Sequence, residues 1–136
     1  MEVVLLDTDV FSFCFKQDTR AYLYEADLHA RQHCLSIQTV AEVKAWAIER
    51  NWGAPRRHAL DSVLAHYLVL PFDTRMADAW ALVTAARKRI GHPIECGDAW
   101  IAAAALRHDL PLLTHNARHY HDIPGLKLVT HPDPQP

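Results

Sequence analysis

Three acidic residues that lie far apart in the sequence occupy positions from which they could act together: Asp7, Glu42 and Asp98. Asp7 follows a short apolar run, Glu42 lies in a helical pattern, and Asp98 begins an alanine-rich segment. Three carboxylates within about 5 Å of one another would repel by roughly 3 kcal/mol per pair at an effective dielectric constant near 20. Protons or a cation must neutralise such a cluster, and Mg²⁺ and Mn²⁺ prefer oxygen ligands.

Each of these acids also has a purely structural explanation. Asp7 could cap the helix that follows it, and Glu42 completes an S/T-x-x-E capping box that starts at Thr39. Asp98 could interact with the positive end of a helix dipole. The residues alone leave both interpretations open, because the sequence does not show whether the three side chains converge.

The elements that must position these acids are short apolar runs alternating with helical patterns. The first run, Val3–Leu6, is typical of a strand buried on both faces of a parallel sheet. Together these patterns predict an α/β fold with a parallel sheet of four to five short strands and helices on both faces. Ligands bind such sheets beyond the carboxyl ends of the strands, where Asp7 lies. Further strands are predicted over 34–36, 68–71, 112–113 and 127–129, and helices over 9–15, 22–33, 39–49, 56–66, 74–91 and 98–108.

The chain has 136 residues, of which 50% are hydrophobic and 22% charged, a balance typical of one globular domain. A formal net charge of −2 argues against an indiscriminate polyanion binder. Arg56–Arg57 and Arg87–Arg89 could still form a local basic rim, although a solvated helix face explains either run. We predict one domain over residues 1–131 and a flexible, proline-rich tail over 132–136.

The three cysteines, Cys14, Cys34 and Cys96, are odd in number and widely spaced, which favours reduced thiols over a disulfide framework. The sequence starts directly with Val3–Leu6 after Met1 and Glu2, without a basic leader, and no apolar stretch approaches the roughly 18 residues of a membrane span. These features predict a cytoplasmic protein that does not enter a membrane.

Four short motifs, the last of them in two parts, are informative as a set. They are Leu5–Ser12 (LLDTDVFS), Ser36–Glu42 (SIQTVAE), Pro93–Ala103 (PIECGDAWIAA), and Leu113–Asn116 (LTHN) with Ile123–Leu126 (IPGL). In this order they resemble the motifs of PIN domains, especially those of the VapC-type toxin ribonucleases of type II toxin–antitoxin systems. The resemblance spans residues 3–129, and it is specific through the combination rather than through any single motif.

The resemblance implies a PIN-like α/β/α sandwich and a metal-dependent endoribonuclease that uses Mg²⁺ or Mn²⁺. Asp7 and Asp98 would bind the metal directly, and Glu42 would bind through water or orient that water. Metal would lower the pKa of the water that attacks phosphorus and offset charge on the leaving oxygen. The implied partners are an RNA substrate, a small cognate antitoxin and a second copy of the chain, in a homodimer and in a toxin–antitoxin hetero-oligomer.

Residues around the three acids would support them. Thr8 would orient Asp7 or the attacking water, or simply cap a helix, and Thr114 and Asn116 would hold their loop or bond to Asp7 or Asp98. PIN domains often carry a fourth acid three residues after this asparagine, where the present chain has His119. An imidazole nitrogen suits manganese better than magnesium, so the departure puts a second metal ion in doubt.

Several alternatives remain open from the sequence. The chain could be a catalytically weakened PIN domain that binds RNA or protein, which His119 favours, or a nuclease acting on DNA, which its short length disfavours. His115, His119 and His121 could form a zinc site, although no cysteine lies near them. Asp9 could be a metal ligand or a helix cap. Trp46 and Trp52 could be core or interface residues, or one could stack a base.

Overall fold

The computed structural model describes residues 2–134 of the chain. Its five strands form one wholly parallel sheet in the order β3-β2-β1-β4-β5. The predicted α/β class with a parallel sheet is therefore confirmed, and the structure places the strand that precedes Asp7 at the centre of the sheet. The strands are β1 (Val3–Leu6), β2 (Gln32–Ser36), β3 (Leu68–Leu70), β4 (Leu112–Leu113) and β5 (Leu128–Val129).

Helices connect the strands, as a parallel sheet requires. Two 3₁₀ helices, Thr19–Tyr24 and Ala117–Tyr120, lie within the loops. The α-helices are α1 (Thr8–Phe15), α2 (Glu25–Leu28), α3 (Ile37–Glu49), α4 (Ala54–Leu64), α5 (Thr74–Arg89) and α6 (Cys96–His108).

The core lies on both faces of the sheet, because alternate residues of a strand point to opposite faces. Leu5 belongs to the apolar cluster formed with α5 and α6, whereas Val4 and Leu6 belong to the cluster formed with α1, α3 and α4. Four consecutive alanines of α6, Ala102–Ala105, are almost fully buried. Their small side chains let α6 pack close to the sheet, which places the start of α6 beside the carboxyl edge.

The prediction of one helix over 22–33 was wrong. The chain instead forms the 3₁₀ helix, the short α2 and then β2, which starts at Gln32 in register with Val3. Ala30 adopts the left-handed backbone conformation (φ 57°) and so ends the helical path. Pairing with β1 overrides the local periodicity here, as tertiary contacts often do.

Helices α1, α3, α4 and α6 start one or two residues before the predicted positions. Ser36 caps α3, since its Oγ accepts a hydrogen bond of 3.2 Å from the backbone N–H of Thr39. The proposed capping box at Thr39 is therefore wrong, and Glu42 is not needed as a cap. Helix α5 starts at Thr74 as predicted, and Asp73 caps it. Helix α4 starts at Ala54, because a proline is tolerated in the first turn of a helix.

No helix among residues 2–134 combines the length and the apolar character needed to cross a membrane. Part of the C-terminal tail is described: Asp133 Oδ1 lies 2.8 Å from His115 Nε2. The predicted flexibility of residues 132–136 stays a prediction, and residues 135 and 136 lie outside the described residues.

Candidate active site

Asp7 and Asp98 come together at the carboxyl edge of the sheet. Asp7 follows β1 and caps α1, and Asp98 lies in the first turn of α6. The hydroxyl group of Tyr120 bridges them, at 3.0 Å from Asp7 Oδ2 and 3.4 Å from Asp98 Oδ1. Two acids that are 91 positions apart in the sequence therefore share one hydrogen-bonding partner.

The carboxylate of Asp7 is buried and held by three donors. Its Oδ1 accepts a hydrogen bond of 2.7 Å from the backbone N–H of Thr8. Its Oδ2 accepts one of 2.7 Å from Thr114 Oγ1 and the one from Tyr120. A carboxylate oxygen offers about two lone-pair positions, so these bonds fill Oδ2 and leave one position on Oδ1. The orientation of Asp7 is thus set before any ligand arrives.

Burial raises the pKa of Asp7 to about 7, and repulsion from Asp9 and Asp98 adds to this, while hydrogen bonds from Thr114 and Thr8 act in the opposite direction. Burial is also the main cause that raises the pKa of Asp98. Both shifts have the physical cause expected for carboxylates packed together away from water. The site therefore favours either a proton or a cation near Asp7 at neutral pH.

Glu42 reaches the same region from α3. Gln38 Nε2 donates a hydrogen bond of 2.9 Å to Glu42 Oε1, and a Cβ atom at Gly97 would lie 3.0 Å from that oxygen. The carboxylate thus lies against the backbone next to Asp98, and its negative charge contributes to the raised pKa of Asp98. The missing side chain at Gly97 provides the space that Glu42 occupies.

Thr8, Asn116 and Asp9 make contacts that tie together the elements around the acids. The hydroxyl of Thr8 is buried against Thr39 Oγ1 at 2.9 Å and so joins α1 to the helix that carries Glu42. Asn116 Nδ2 donates to Asp9 Oδ2 at 3.1 Å rather than to Asp7 or Asp98. Asp9 also accepts from the backbone N–H groups of Val10 and His115. Its carboxylate therefore supports the loop, while Thr114 contacts Asp7 as described.

His119 occupies the position of the expected fourth acid, and its Nδ1 lies 3.4 Å from Asp98 Oδ2. His115 points elsewhere, with hydrogen bonds to Tyr24 and Asp133. Among residues 2–134, no three His, Cys, Asp or Glu side chains are arranged to hold a metal ion, so a zinc site of the three histidines gains no support.

Arg87 and Tyr120 contact or support the candidate site, and sequence reasoning assigned neither of them to it. Arg87 was considered for a basic rim, but it is 7% exposed and donates to the carbonyl groups of His92, His119 and His121. It thereby fixes the loop that carries Tyr120. A tyrosine in this position is a core residue by default, and only the fold shows where its hydroxyl points.

The donor set around Asp7 and Asp98 fits a hard divalent cation. Both acids offer carboxylate oxygens as ligands. The hydrogen bonds to Asp7 leave one lone-pair position free on its Oδ1, and the side chain of Asp98 is 22% exposed. Magnesium and manganese keep several water ligands, so two carboxylates can suffice without a third direct ligand. A cleft of about 260 Å³ opens beside Asp98 and is lined by Glu95, Arg118 and His119, among others.

Comparisons with known proteins match most of the chain to one family. The PIN domain family model matches residues 4–125. A relative named tRNA(fMet)-specific endonuclease VapC, from Salmonella typhimurium, is 27% identical over 129 residues, covering 91% of this chain and 94% of the relative. Ribonuclease VapC4 of Mycobacterium tuberculosis is 24% identical over 98 residues, covering 71% and 75%. The solved structure of VapBC2 from Rickettsia felis, bound to promoter DNA, has a TM-score of 0.84 at 18% identity and covers 95% of this chain and 98% of its own.

Proposed function

This chain belongs to the PIN domain family, and on that premise we propose that it is an endoribonuclease that cleaves RNA phosphodiesters at the acidic edge of its sheet. The observation that carries the proposal is the meeting of Asp7 and Asp98 at the hydroxyl of Tyr120. The names of both curated relatives, an endonuclease and a ribonuclease, support it.

The cofactor in this proposal is Mg²⁺ or Mn²⁺, held by Asp7 and Asp98, with Glu42 contributing through water. Bound there, the ion would lower the pKa of a water molecule and offset negative charge on the leaving oxygen. Thr114 and Tyr120 hold the carboxylate of Asp7 in a fixed orientation. Glu42, which accepts a hydrogen bond from Gln38, would orient the attacking water.

The biological setting in this proposal is a toxin–antitoxin module. The chain would be the toxin, bound by a small antitoxin and paired with a second copy of itself. The relatives named VapC and the structural match to a VapBC complex support this assignment. We place the protein in the cytoplasm, because the proposed substrate and partner are made there.

The direct test is cleavage of a mixed RNA substrate by the purified chain with Mn²⁺ or Mg²⁺. Asp7→Asn and Asp98→Asn are expected to reduce cleavage at least 100-fold, because each removes a charged metal ligand. Asp61→Asn is the matched control, since Asp61 is exposed on α4 and should leave cleavage unchanged. Cleavage by Asp7→Asn at the rate of the unmodified chain would reject the nuclease assignment.

A second candidate function is a PIN domain that binds RNA or protein without cutting it. The contact between His119 and Asp98 favours this alternative, because this chain has an imidazole where PIN domains often have a fourth acid. Calorimetry with Mn²⁺ separates the two candidates. The nuclease requires binding that Asp7→Asn abolishes, whereas the binding module requires no carboxylate-dependent uptake. Single-stranded DNA, digested in parallel with RNA, tests the third option of a DNA nuclease.

A further inference from the structure

A patch of cations and aromatic rings lies where α1, α3 and α4 meet, away from the acidic edge. This basic aromatic patch consists of Lys16, Trp46, Arg50, Trp52 and Arg56. The ring centroid of Trp46 lies 5.7 Å from Lys16 Nζ and 4.9 Å from Arg50 Cζ, and that of Trp52 lies 4.0 Å from Arg56 Cζ. All three distances are within the range of cation–π attraction.

The aromatic rings hold these cations in place. Trp52 also stacks on Phe15, with centroids 5.8 Å apart and ring planes 16° from parallel. A cation resting on a ring has lost part of its side-chain freedom, so less entropy remains to be lost when it binds an anion. With Phe15 and Arg56 against Trp52, the ring supports a cation, and a base is not expected to stack there.

The side chains of Lys16, Arg50 and Arg56 are exposed, and none of them forms an ion pair within the part of the chain that the structure describes. Five other surface cations have acidic partners: Arg20 with Asp18, Arg31 with Glu2, Lys44 with Asp61, Arg107 with Asp73, and Lys127 with Asp109. The exposed cations Arg75, Lys88, Arg89 and Arg118 have none within the described residues, so the patch is distinguished by its aromatic rings rather than by its lack of ion pairs.

Two helices lead from the acidic edge to this patch. Helix α3 carries Glu42, and Trp46 and Arg50 follow at intervals of four residues, which places them along one side of the helix. At 1.5 Å per residue, Arg50 lies about 12 Å further along the axis than Glu42. Helix α1 starts directly after Asp7, and Lys16 follows its last residue. At ~3.4 Å per phosphate, the distance of about 12 Å between Glu42 and Arg50 corresponds to three or four phosphates of a stacked strand.

We propose that the basic aromatic patch binds the phosphates of a single-stranded RNA segment that flanks the bond to be cleaved. This inference rests on the proposed function, because it identifies how the same site would grip its substrate. Guanidinium groups bind phosphate oxygens in a paired, planar geometry. Phosphate contacts position a strand without reading its sequence, so the patch contributes affinity and register rather than base specificity. An acidic segment of a protein partner is the competing occupant.

The test is the affinity for a short fluorescent single-stranded RNA, measured by anisotropy in EDTA so that nothing is cleaved. The Arg50→Gln/Arg56→Gln variant is expected to bind about 10-fold more weakly. The slope of log K against log salt concentration should decrease by about 1.4, which is 0.7 for each lost phosphate contact. Arg50→Lys/Arg56→Lys keeps both charges and should retain most of the affinity. The matched control is Arg75→Gln/Arg89→Gln, two exposed arginines of α5.

An affinity for RNA equal to that of the α5 control would overturn the proposal. So would a variant that keeps its affinity for RNA but loses binding of polyglutamate, since that result assigns the patch to an acidic protein segment. Should the glutamine pair unfold, Lys16→Gln gives the same test with an expected slope change of about 0.7.

The readout in EDTA also separates this proposal from the proposed function. A chain that binds RNA through the patch and cleaves none would refute the nuclease assignment alone. In cleavage assays, the glutamine pair should raise KM and leave kcat within about twofold, because the patch contacts no reacting atom.

Discussion

The hydroxyl group of Tyr120 lies 3.0 Å from Oδ2 of Asp7, across 113 positions of the sequence. Tyr120 is 1% exposed and Asp7 5%, so this bond is shielded from water. Because the same hydroxyl also reaches Asp98, it holds the two proposed metal ligands at a set separation. The tyrosine is thus part of the proposed site although it is not one of its carboxylates.

Tyr120→Phe removes this bridge and keeps the ring in the core. We expect the free energy of unfolding to fall by about 1 kcal/mol, the usual contribution of one buried hydrogen bond. We also expect Mn²⁺ affinity to fall severalfold, because Asp98 loses this donor. Calorimetry and chemical denaturation measure the two effects. The control is Tyr22→Phe, at a side chain that is 74% exposed. Equal changes in both variants would show that the hydroxyl group of Tyr120 does not contribute to the site.

The stability of the metal-free protein should depend on the charge of Asp7. Burial raises its pKa from 3.8 to about 7, so the folded chain binds a proton that the unfolded chain releases between these values. The free energy of unfolding should therefore fall as the pH rises from about 4 to about 7 and level off above. Asp7→Asn carries no charge and should gain stability relative to the unmodified chain over that interval. A stability difference that stays constant from pH 4 to pH 8 in EDTA would contradict this.

The affinity for Mn²⁺ should also depend on the protonation of Asp7. A carboxylate must lose its proton to act as a ligand, so the ion and the proton compete for Asp7. The apparent affinity should fall by up to tenfold for each pH unit below about 7 when one proton is displaced. Calorimetry at pH 5.5, 6.5 and 7.5, in buffers of different ionisation enthalpy, counts the protons released. Uptake without proton release at pH 6 would argue against Asp7 as the ligand.

Gly97→Ala tests the position of Glu42. The added Cβ would lie 3.0 Å from Glu42 Oε1 and 3.0 Å from Gln38 Nε2, closer than side chains normally approach, so this pair must move. We expect RNA cleavage to fall about 10-fold while stability is maintained, because alanine is favoured over glycine within a helix. Gly53→Ala is the control, since its Cβ would meet Pro55 at an ordinary 3.7 Å. Full activity of the Gly97 variant would separate Glu42 from the chemistry.

Arg87→Met should be among the most destabilising changes in the chain. Three backbone carbonyl groups, those of His92, His119 and His121, would lose a charged donor in a buried position. We expect a loss of about 3 kcal/mol in the free energy of unfolding, together with weaker Mn²⁺ binding, because the loop of Tyr120 is released. Arg89→Met, at an exposed position two residues later, should cost less than about 0.5 kcal/mol. Similar losses in both variants would show that Arg87 has no special role.

The sequence by itself determined the class of the fold and the general position of the acids. A continuous apolar run before Asp7 indicates a strand buried on both faces, because such a strand has no solvent-facing residues. The motifs around Asp7, Glu42 and Asp98 likewise indicate the family from residue identity alone. These signals are local, since they depend on neighbours within a few positions.

The tertiary structure alone decided which side chains meet. Local periodicity predicted a helix over 22–33, but pairing of Gln32 with Val3 turned its last part into a strand. The hydrogen bonds of Tyr120 to Asp7 and of Asn116 to Asp9 connect residues more than 100 positions apart. Such contacts follow from the strand order β3-β2-β1-β4-β5, which brings the segment after β4 next to the end of β1. That order is a property of the whole sheet, so no short window of sequence contains it.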